Sequence, residues 1–351
     1  MTKPIRVLIV EDSLVVRELL KHIIGLDARF DVVGAVESAE EALQLMDVVE
    51  PDVISLDIRL PGMNGLDATL QIMARRPIPI VVVSANVDDD ELNIAMNALR
   101  AGALAVVEKP VGVTNVAFEA MAARLCTQLA IMSQVKVVRQ GNRNLSFGTA
   151  EPAPAPRRRS AGYSMLGIVA STGGPQALVQ VLGGLDKSFP LPILLVQHIT
   201  ASFLEGFVSW LGGVTPFDVR IAQGGEVPEP GKVYVSPQER HLALRGGKLV
   251  VLDDPPMHSQ KPSGTVLLSS MAKDLGSRAV GVVLTGMGTD GADGLLALEK
   301  AGGYTIGEHE STCIVYGMPA AAARLGAVKE MLPLHDIAPR LAQLAGGGAK
   351  A

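Results

Sequence analysis

Residues 139–161 read RQGNRNLSFGTAEPAPAPRRRSA, a stretch too poor in apolar side chains to build a core. It divides the chain of 351 residues into two halves that must each fold alone. Its Pro-Ala alternation favours extended, polyproline-like chain, and its arginine triplet favours water over a nucleic-acid role. With 48% hydrophobic residues there is ample material for two cores. A net charge of −5 is adverse to nucleic acid. The two cysteines, Cys126 and Cys313, lie far apart in no metal-binding spacing, and the start MTKPIRVLIVED carries no signal-peptide pattern. Apolar runs such as LPILLV fall far short of the roughly 18 residues of a membrane span. The expected setting is a reducing cytoplasm, without membrane insertion.

In the first half, short apolar runs at 5–10, 32–36, 53–56, 80–83 and 104–107 alternate with helical patterns such as 14–25 and 39–47. Five such strands predict a parallel sheet covered on both faces, whose chemistry sits at the carboxyl ends of its strands. Those ends carry Glu11 and Asp12, then Asp57, Ser84, and Lys109 before Pro110. Any one of them reads as an ordinary turn residue. Together they do not: three converging carboxylates repel one another unless a cation joins them, and an all-oxygen set of that charge suits Mg²⁺. A lysine and a small hydroxyl beside them suit a phosphoryl group.

The second half resumes the alternation. Strands are expected at 165–170, 192–196, 233–235, 241–245, 248–252 and 279–284, with a further one near 304–306. Gly246-Gly247 predicts a two-residue hairpin turn inside HLALRGGKLVVL. Ser171 follows the first of these strands, His198 the second, and Asp290 the strand at 279–284. A hydroxyl, an imidazole and a carboxylate at one sheet edge are the groups that acyl transfer requires. Gly173 and Gly174 after the serine are expected to let a substrate approach, and the Gly286-Met287-Gly288 loop to supply an oxyanion donor. The plain alternative for Ser171 is a helix cap before Pro175. A sharper rival is the GxGxxG run Gly286–Gly291 with Glu308 about 20 residues on, the pattern of a dinucleotide site. Asp290 inside that loop would compete with a pyrophosphate. The GxSxG elbow of α/β-hydrolases is absent, and the order Ser, His, Asp differs from theirs.

The motif DIRLPGMNGLDA with the later Lys109-Pro110 makes residues 4–125 resemble a response-regulator receiver domain, which implies a flavodoxin-like (βα)5 fold. The resemblance implies phosphorylation of Asp57 by a chemotaxis histidine kinase, Mg²⁺ held by Glu11, Asp12 and Asp57, and a switch read by Ser84 and Lys109. Val106 stands where many receivers have an aromatic switch residue. The motifs ASTGGP, VQH, YVSPQERHL, LTGMGTDGA and VYGMP make residues 163–340 resemble the chemotaxis protein-glutamate methylesterases. That resemblance implies a doubly wound, mostly parallel α/β domain over 162–345 with an antiparallel hairpin, joined to the receiver by a helical extension and linker over 126–161.

It also implies hydrolysis of glutamyl methyl esters on methyl-accepting chemoreceptors, with deamidation of receptor glutamines. Ser171, His198 and Asp290 would be catalytic, Met287 would contribute a backbone oxyanion donor, and no cofactor would serve the ester step. An unphosphorylated receiver would cover the cleft. One stretch departs from the family: Pro262-Ser-Gly264-Thr265-Val-Leu-Leu268 replaces a PSVDVLF-like sequence. It changes none of the three residues, so the chemistry is expected to survive, while packing near the cleft or receptor choice is expected to differ. The departure also admits a receiver-controlled binding protein whose ester chemistry has lapsed.

Overall fold

Runs of branched apolar residues that are buried on both faces make the two sheets. The structure, a computed structural model, describes residues 3–84, 89–110, 115–135, 137 and 162–346. The chain divides into two compact units, Met1–Ala150 and Glu151–Ala351. The expected linker, 139–161, lies wholly outside the described residues.

The first unit alternates β1 (Ile5–Val10), α1 (Leu14–Gly25), β2 (Phe30–Val36), α2 (Ala39–Val49), β3 (Val53–Asp57), α3 (Gly65–Arg75), β4 (Ile80–Ser84), α4 (Asp89–Ala101), β5 (Ala105–Glu108) and α5 (Asn115–Met132). Its sheet runs β2-β1-β3-β4-β5, with every pairing parallel. VISLD of β3 and IVVVS of β4 are buried throughout, as central parallel strands must be. The first three helices begin on side-chain caps. Ser13 accepts from Val16 N–H, Ser38 from Glu41 N–H and Asn64 from Asp67 N–H. The last helix runs past residue 125 without a break.

The second unit contains β6 (Met165–Ala170), α6 (Gly174–Gly183), β7 (Ile193–Gln197), α7 (Ala201–Val214), β8 (Asp218–Ile221), β9 (Lys232–Val235), β10 (His241–Arg245), β11 (Lys248–Leu252), α8 (Gly264–Leu275), β12 (Ala279–Val283), α9 (Ala292–Lys300), β13 (Tyr304–Glu308), α10 (Met318–Arg324), β14 (Glu330–Leu332) and α11 (Leu334–Gly346). Seven strands form one parallel sheet, β14-β13-β12-β6-β7-β9-β8. Strands β10 and β11 form a separate antiparallel hairpin. Its turn has φ of 57° at Gly246 and 73° at Gly247, and Asp274 of α8 accepts both their N–H groups.

Two strands escape the sequence pattern, β8 and β14. Both are edge strands. DVRI alternates exposed and half-buried positions, and EML has three residues, none fully buried. Neither presents the continuous apolar run that marks a central strand. The order of the sheet fixes where chemistry can occur. The chain winds outward from β6 to β7 on one side and returns through β12 on the other. The crevice at the carboxyl end of β6 is therefore the point where connections diverge.

Candidate active site and phosphoacceptor site

Strands β12, β6 and β7 are neighbours, and each delivers one of the three expected residues to the same edge. Ala170 of β6 pairs with Gln197 of β7, and His198 N–H donates to the Ala170 carbonyl at 3.0 Å. The ladder thus places Ser171 beside His198. Ser171 is not a helix cap: Gly173 holds that position in α6, without a side-chain bond. The serine N–H donates to the Thr285 carbonyl at 3.1 Å, which removes it from the set of oxyanion donors. A Cβ on Gly286 would fall 2.6 Å from Ser171 Cβ, so the loop bearing Met287 runs directly against Ser171. Met287 is half exposed, and its N–H donates to no group among the described residues.

The expectation that Gly173 and Gly174 open space for a substrate is corrected. Their missing Cβ positions are filled from within the protein. A Cβ on Gly173 would meet Ile314 at 2.7 Å, and one on Gly174 would meet Gln197 Oε1 at 2.1 Å. These glycines let the serine turn sit tightly on its neighbours.

His198 Nε2–H donates to Asp290 Oδ2 at 2.9 Å. No bond joins Ser171 Oγ to His198 among the described contacts; Nδ1 is the ring nitrogen left for it. Asp290 is 2% exposed. Its carboxylate accepts from Ser263 Oγ–H at 2.5 Å, Gly264 N–H at 2.6 Å and Thr265 N–H at 3.1 Å. These donors form the first turn of α8, where the helix end favours an anion. Burial works against ionisation of Asp290. The bonds from His198, Ser263 and Gly264 outweigh it and pull the carboxyl down to about 2.

The departing stretch at 262–268 therefore packs directly against Asp290. It is the cradle of that acid. Thr265 Oγ1 also accepts from Gly291 N–H at 2.8 Å, which ties the cradle to the Asp290 loop. A buried histidine that sequence reasoning passed over stands behind it. Ser263 N–H donates to His241 Nδ1 at 3.1 Å, so the proton lies on Nε2, which donates to the Pro255 carbonyl at 3.1 Å. The sequence signalled Ser263 alone: Pro-Ser-Gly opening a helical pattern is an N-cap signature.

The rival dinucleotide reading finds no support at this loop. Glu308 is fully buried, and its Oε2 accepts from Thr285 N–H at 2.8 Å.

In the first unit the expected residues also gather at one edge. Carboxylate oxygens of Glu11, Asp12 and Asp57 lie within 4.8 Å of one another. Lys109 Nζ approaches Glu11 Oε2 at 3.0 Å and Asp57 Oδ2 at 2.8 Å. Both of these buried oxygens still lack a well-directed hydrogen bond. Burial, then the charge of Asp57, pushes the Glu11 carboxyl up to about 7; burial also raises Asp57. Acceptor-only oxygens short of donors, with more negative charge than one lysine offsets, fit a hard divalent cation. Ser84 is fully buried at the end of β4, while Asp12 is exposed.

Two outcomes follow from the cradle. A carboxyl depressed in the fold stabilises it above the unfolded value of 3.8 and loses that contribution as pH falls through about 2. The difference corresponds to about 2 kcal/mol. Denaturant titration of the C-terminal unit between pH 4 and pH 2 should show a shallower loss of stability in Asp290→Asn than in the parent. The second concerns Gly264, where a Cβ would meet Val169 Cγ1 at 2.2 Å. Gly264→Val should destabilise by about 1–3 kcal/mol through overpacking. Adding Val169→Gly should recover part of that loss, so a double-mutant cycle should give a coupling of at least about 1 kcal/mol.

With this geometry, comparison with known proteins is specific. Residues 166–341 match the family model described as CheB methylesterase, and residues 7–118 match the response regulator receiver domain. The chain is 68% identical over 352 residues to the protein-glutamate methylesterase/protein-glutamine glutaminase 2 of Paramagnetospirillum magneticum, covering 100% of both chains. It is 42% identical to the protein-glutamate methylesterase/protein-glutamine glutaminase of Nitrosospira multiformis, covering 97% of each. The crystal structure of the Thermotoga maritima CheB methylesterase catalytic domain aligns with a TM-score of 0.50 at 32% identity, over 52% of this chain and 99% of that one. Two halves folded around separate strand-end sites, and a match that runs the full length of such relatives, lead to one assignment: the chain belongs to the CheB methylesterase family, with a response-regulator receiver domain at its N-terminal end.

Proposed function

We propose that the C-terminal unit hydrolyses glutamyl methyl esters on methyl-accepting chemoreceptors, releasing methanol, and deamidates receptor glutamines by the same route. The observation that carries this reading is the His198–Asp290 bond at the strand edge, one ladder position from Ser171. Serine attacks poorly without a base. Since Nε2–H is committed to Asp290, His198 Nδ1 takes the Ser171 proton. Asp290, held ionised by its cradle, stabilises the imidazolium that results. The oxyanion formed by attack on the ester carbonyl is held by the Met287 N–H, since the Ser171 N–H is engaged elsewhere. His198 returns the proton to departing methoxide. Water then attacks the acyl-enzyme with the same base, giving glutamate and free Ser171. The Ser171–His198 bond tightens with substrate in place, a common change on forming the Michaelis complex. The lapsed-enzyme alternative loses its motive, because residues 263–265 support Asp290 instead of disabling it.

Phosphorylation of Asp57 by a chemotaxis histidine kinase is the proposed control. Glu11, Asp12 and Asp57 would hold Mg²⁺, which when bound supplies neutralisation of charge around a phosphoryl group. Lys109 offers a fixed ammonium at the Asp57 oxygens, and Ser84 a hydroxyl at the adjacent strand end. Coupling between such a switch and an activity is commonly worth about 1–3 kcal/mol. The proposed layout is a receiver over 4–125, an extension and linker over 126–161, and the catalytic domain over 162–345.

Ser171→Ala should keep the fold and lose at least about 1,000-fold in methanol release from methyl-labelled receptor membranes. Activity near that of the parent would reject the nucleophile. Asp57→Asn should abolish stimulation by a small phosphodonor, and chelation of divalent cations should do the same to the parent protein. Undiminished stimulation in either arm would place the control elsewhere.

A further inference from the structure

One buried acid in the catalytic unit has no part in the chemistry above. Glu308 ends β13 and is fully buried, just past the last β12–β13 pair, Val283–Gly307. Its Oε2 accepts the Thr285 N–H at 2.8 Å, supplying the acceptor that the ladder no longer offers. Every polar group of Thr285 is engaged. Its carbonyl receives the Ser171 N–H at 3.1 Å. Its Oγ1–H donates to the Thr172 carbonyl at 2.9 Å, and the same oxygen accepts from Val315 N–H at 2.9 Å. Gly286, the next residue, donates its N–H to the Val315 carbonyl at 3.0 Å and receives Met318 N–H at 2.8 Å. Thr285 is thus the residue through which the nucleophile turn, the Met287 loop and the 309–318 segment are fixed to one another.

We infer that Glu308 is a positioning residue for ester hydrolysis, acting through the Thr285 N–H to hold both the Ser171 turn and the Met287 loop in register. The inference rests on the acyl-transfer reading of Ser171 and Met287. Glu308 reaches no substrate itself; the side-chain acceptor is what matters, not its charge. Without that acceptor, a buried N–H at the start of the Met287 loop is left unsatisfied, and the loop shifts to find water or another partner. Displacement of reacting groups on the scale of 1 Å can cost about 100-fold.

The test uses the full chain and three variants. Glu308→Gln keeps an acceptor oxygen and should stay within about threefold of the parent in kcat. Glu308→Leu and the smaller Glu308→Ala remove it and should lower kcat by about 10- to 100-fold while KM moves less than about twofold. Backbone hydrogen exchange supplies a readout independent of catalysis. The Thr285 and Ser171 amides should exchange at least about tenfold faster in the Ala and Leu variants, and at the parent rate in the Gln variant. Loss of activity in Glu308→Gln, with the fold intact, would overturn the inference. So would parental kcat and exchange in whichever of the other two folds. Failure of both to fold beside an active Gln variant would also overturn it, by making Glu308 a residue of general stability. Should Ser171→Ala remain active, the acyl-transfer reading fails, while the exchange measurements still decide whether Glu308 fixes the loop.

Discussion

A carboxylate buried from water is costly unless other groups solvate it, and the catalytic unit is arranged around solvating that of Asp290. Its two oxygens collect four donors from segments far apart in sequence: His198 after β7, and Ser263, Gly264 and Thr265 at the start of α8. Behind them His241 fixes Ser263 from the hairpin. The acid therefore locks the approach of α8 to the sheet as well as the orientation of the imidazole. This dual use explains why fold and chemistry are hard to separate here. A fully connected polar network defines one arrangement, while a partly connected one would favour none.

The two units solve different electrostatic problems with the same layout. Both are parallel sheets with their clustered polar side chains at the carboxyl ends of neighbouring strands. In the catalytic unit, donors outnumber the charge, and the carboxyl of Asp290 is driven down. In the receiver unit, two buried carboxylates share a single lysine, and the carboxyls of Glu11 and Asp57 are driven up. The first arrangement is complete as it stands; the second has the chemistry of a site that takes up positive charge.

Much of this was legible in the linear sequence, because strand-end residues in a parallel sheet converge by rule. Ser171, His198 and Asp290 could be named from that rule, as could Glu11, Asp12, Asp57, Ser84 and Lys109. The supporting residues could not. His241 reads as the first residue of a hairpin strand, and nothing local says that its ring meets Ser263 across 22 positions. The stretch at 262–268 was expected to affect packing near the cleft, but nothing local says that its first turn solvates Asp290 across 25 to 27 positions. Glu308 carried a signal that suggested a different ligand altogether. The edge strands β8 and β14 were missed for a simpler reason. Half-covered strands of three or four residues lack the apolar continuity by which central strands are found.

The contact between Gly264 and Val169 has a further consequence for how this unit can be recombined. Backbone on α8 and side chain on β6 occupy complementary halves of one small volume. Segments bearing them cannot be grafted singly from a relative that divides that volume otherwise. A transplanted PSVDVLF-like segment would need its native β6 partner to travel with it, although the two positions are 95 residues apart in the chain. Chimeras cut between 169 and 264 would separate the pair, whereas crossovers placed before β6 would carry both.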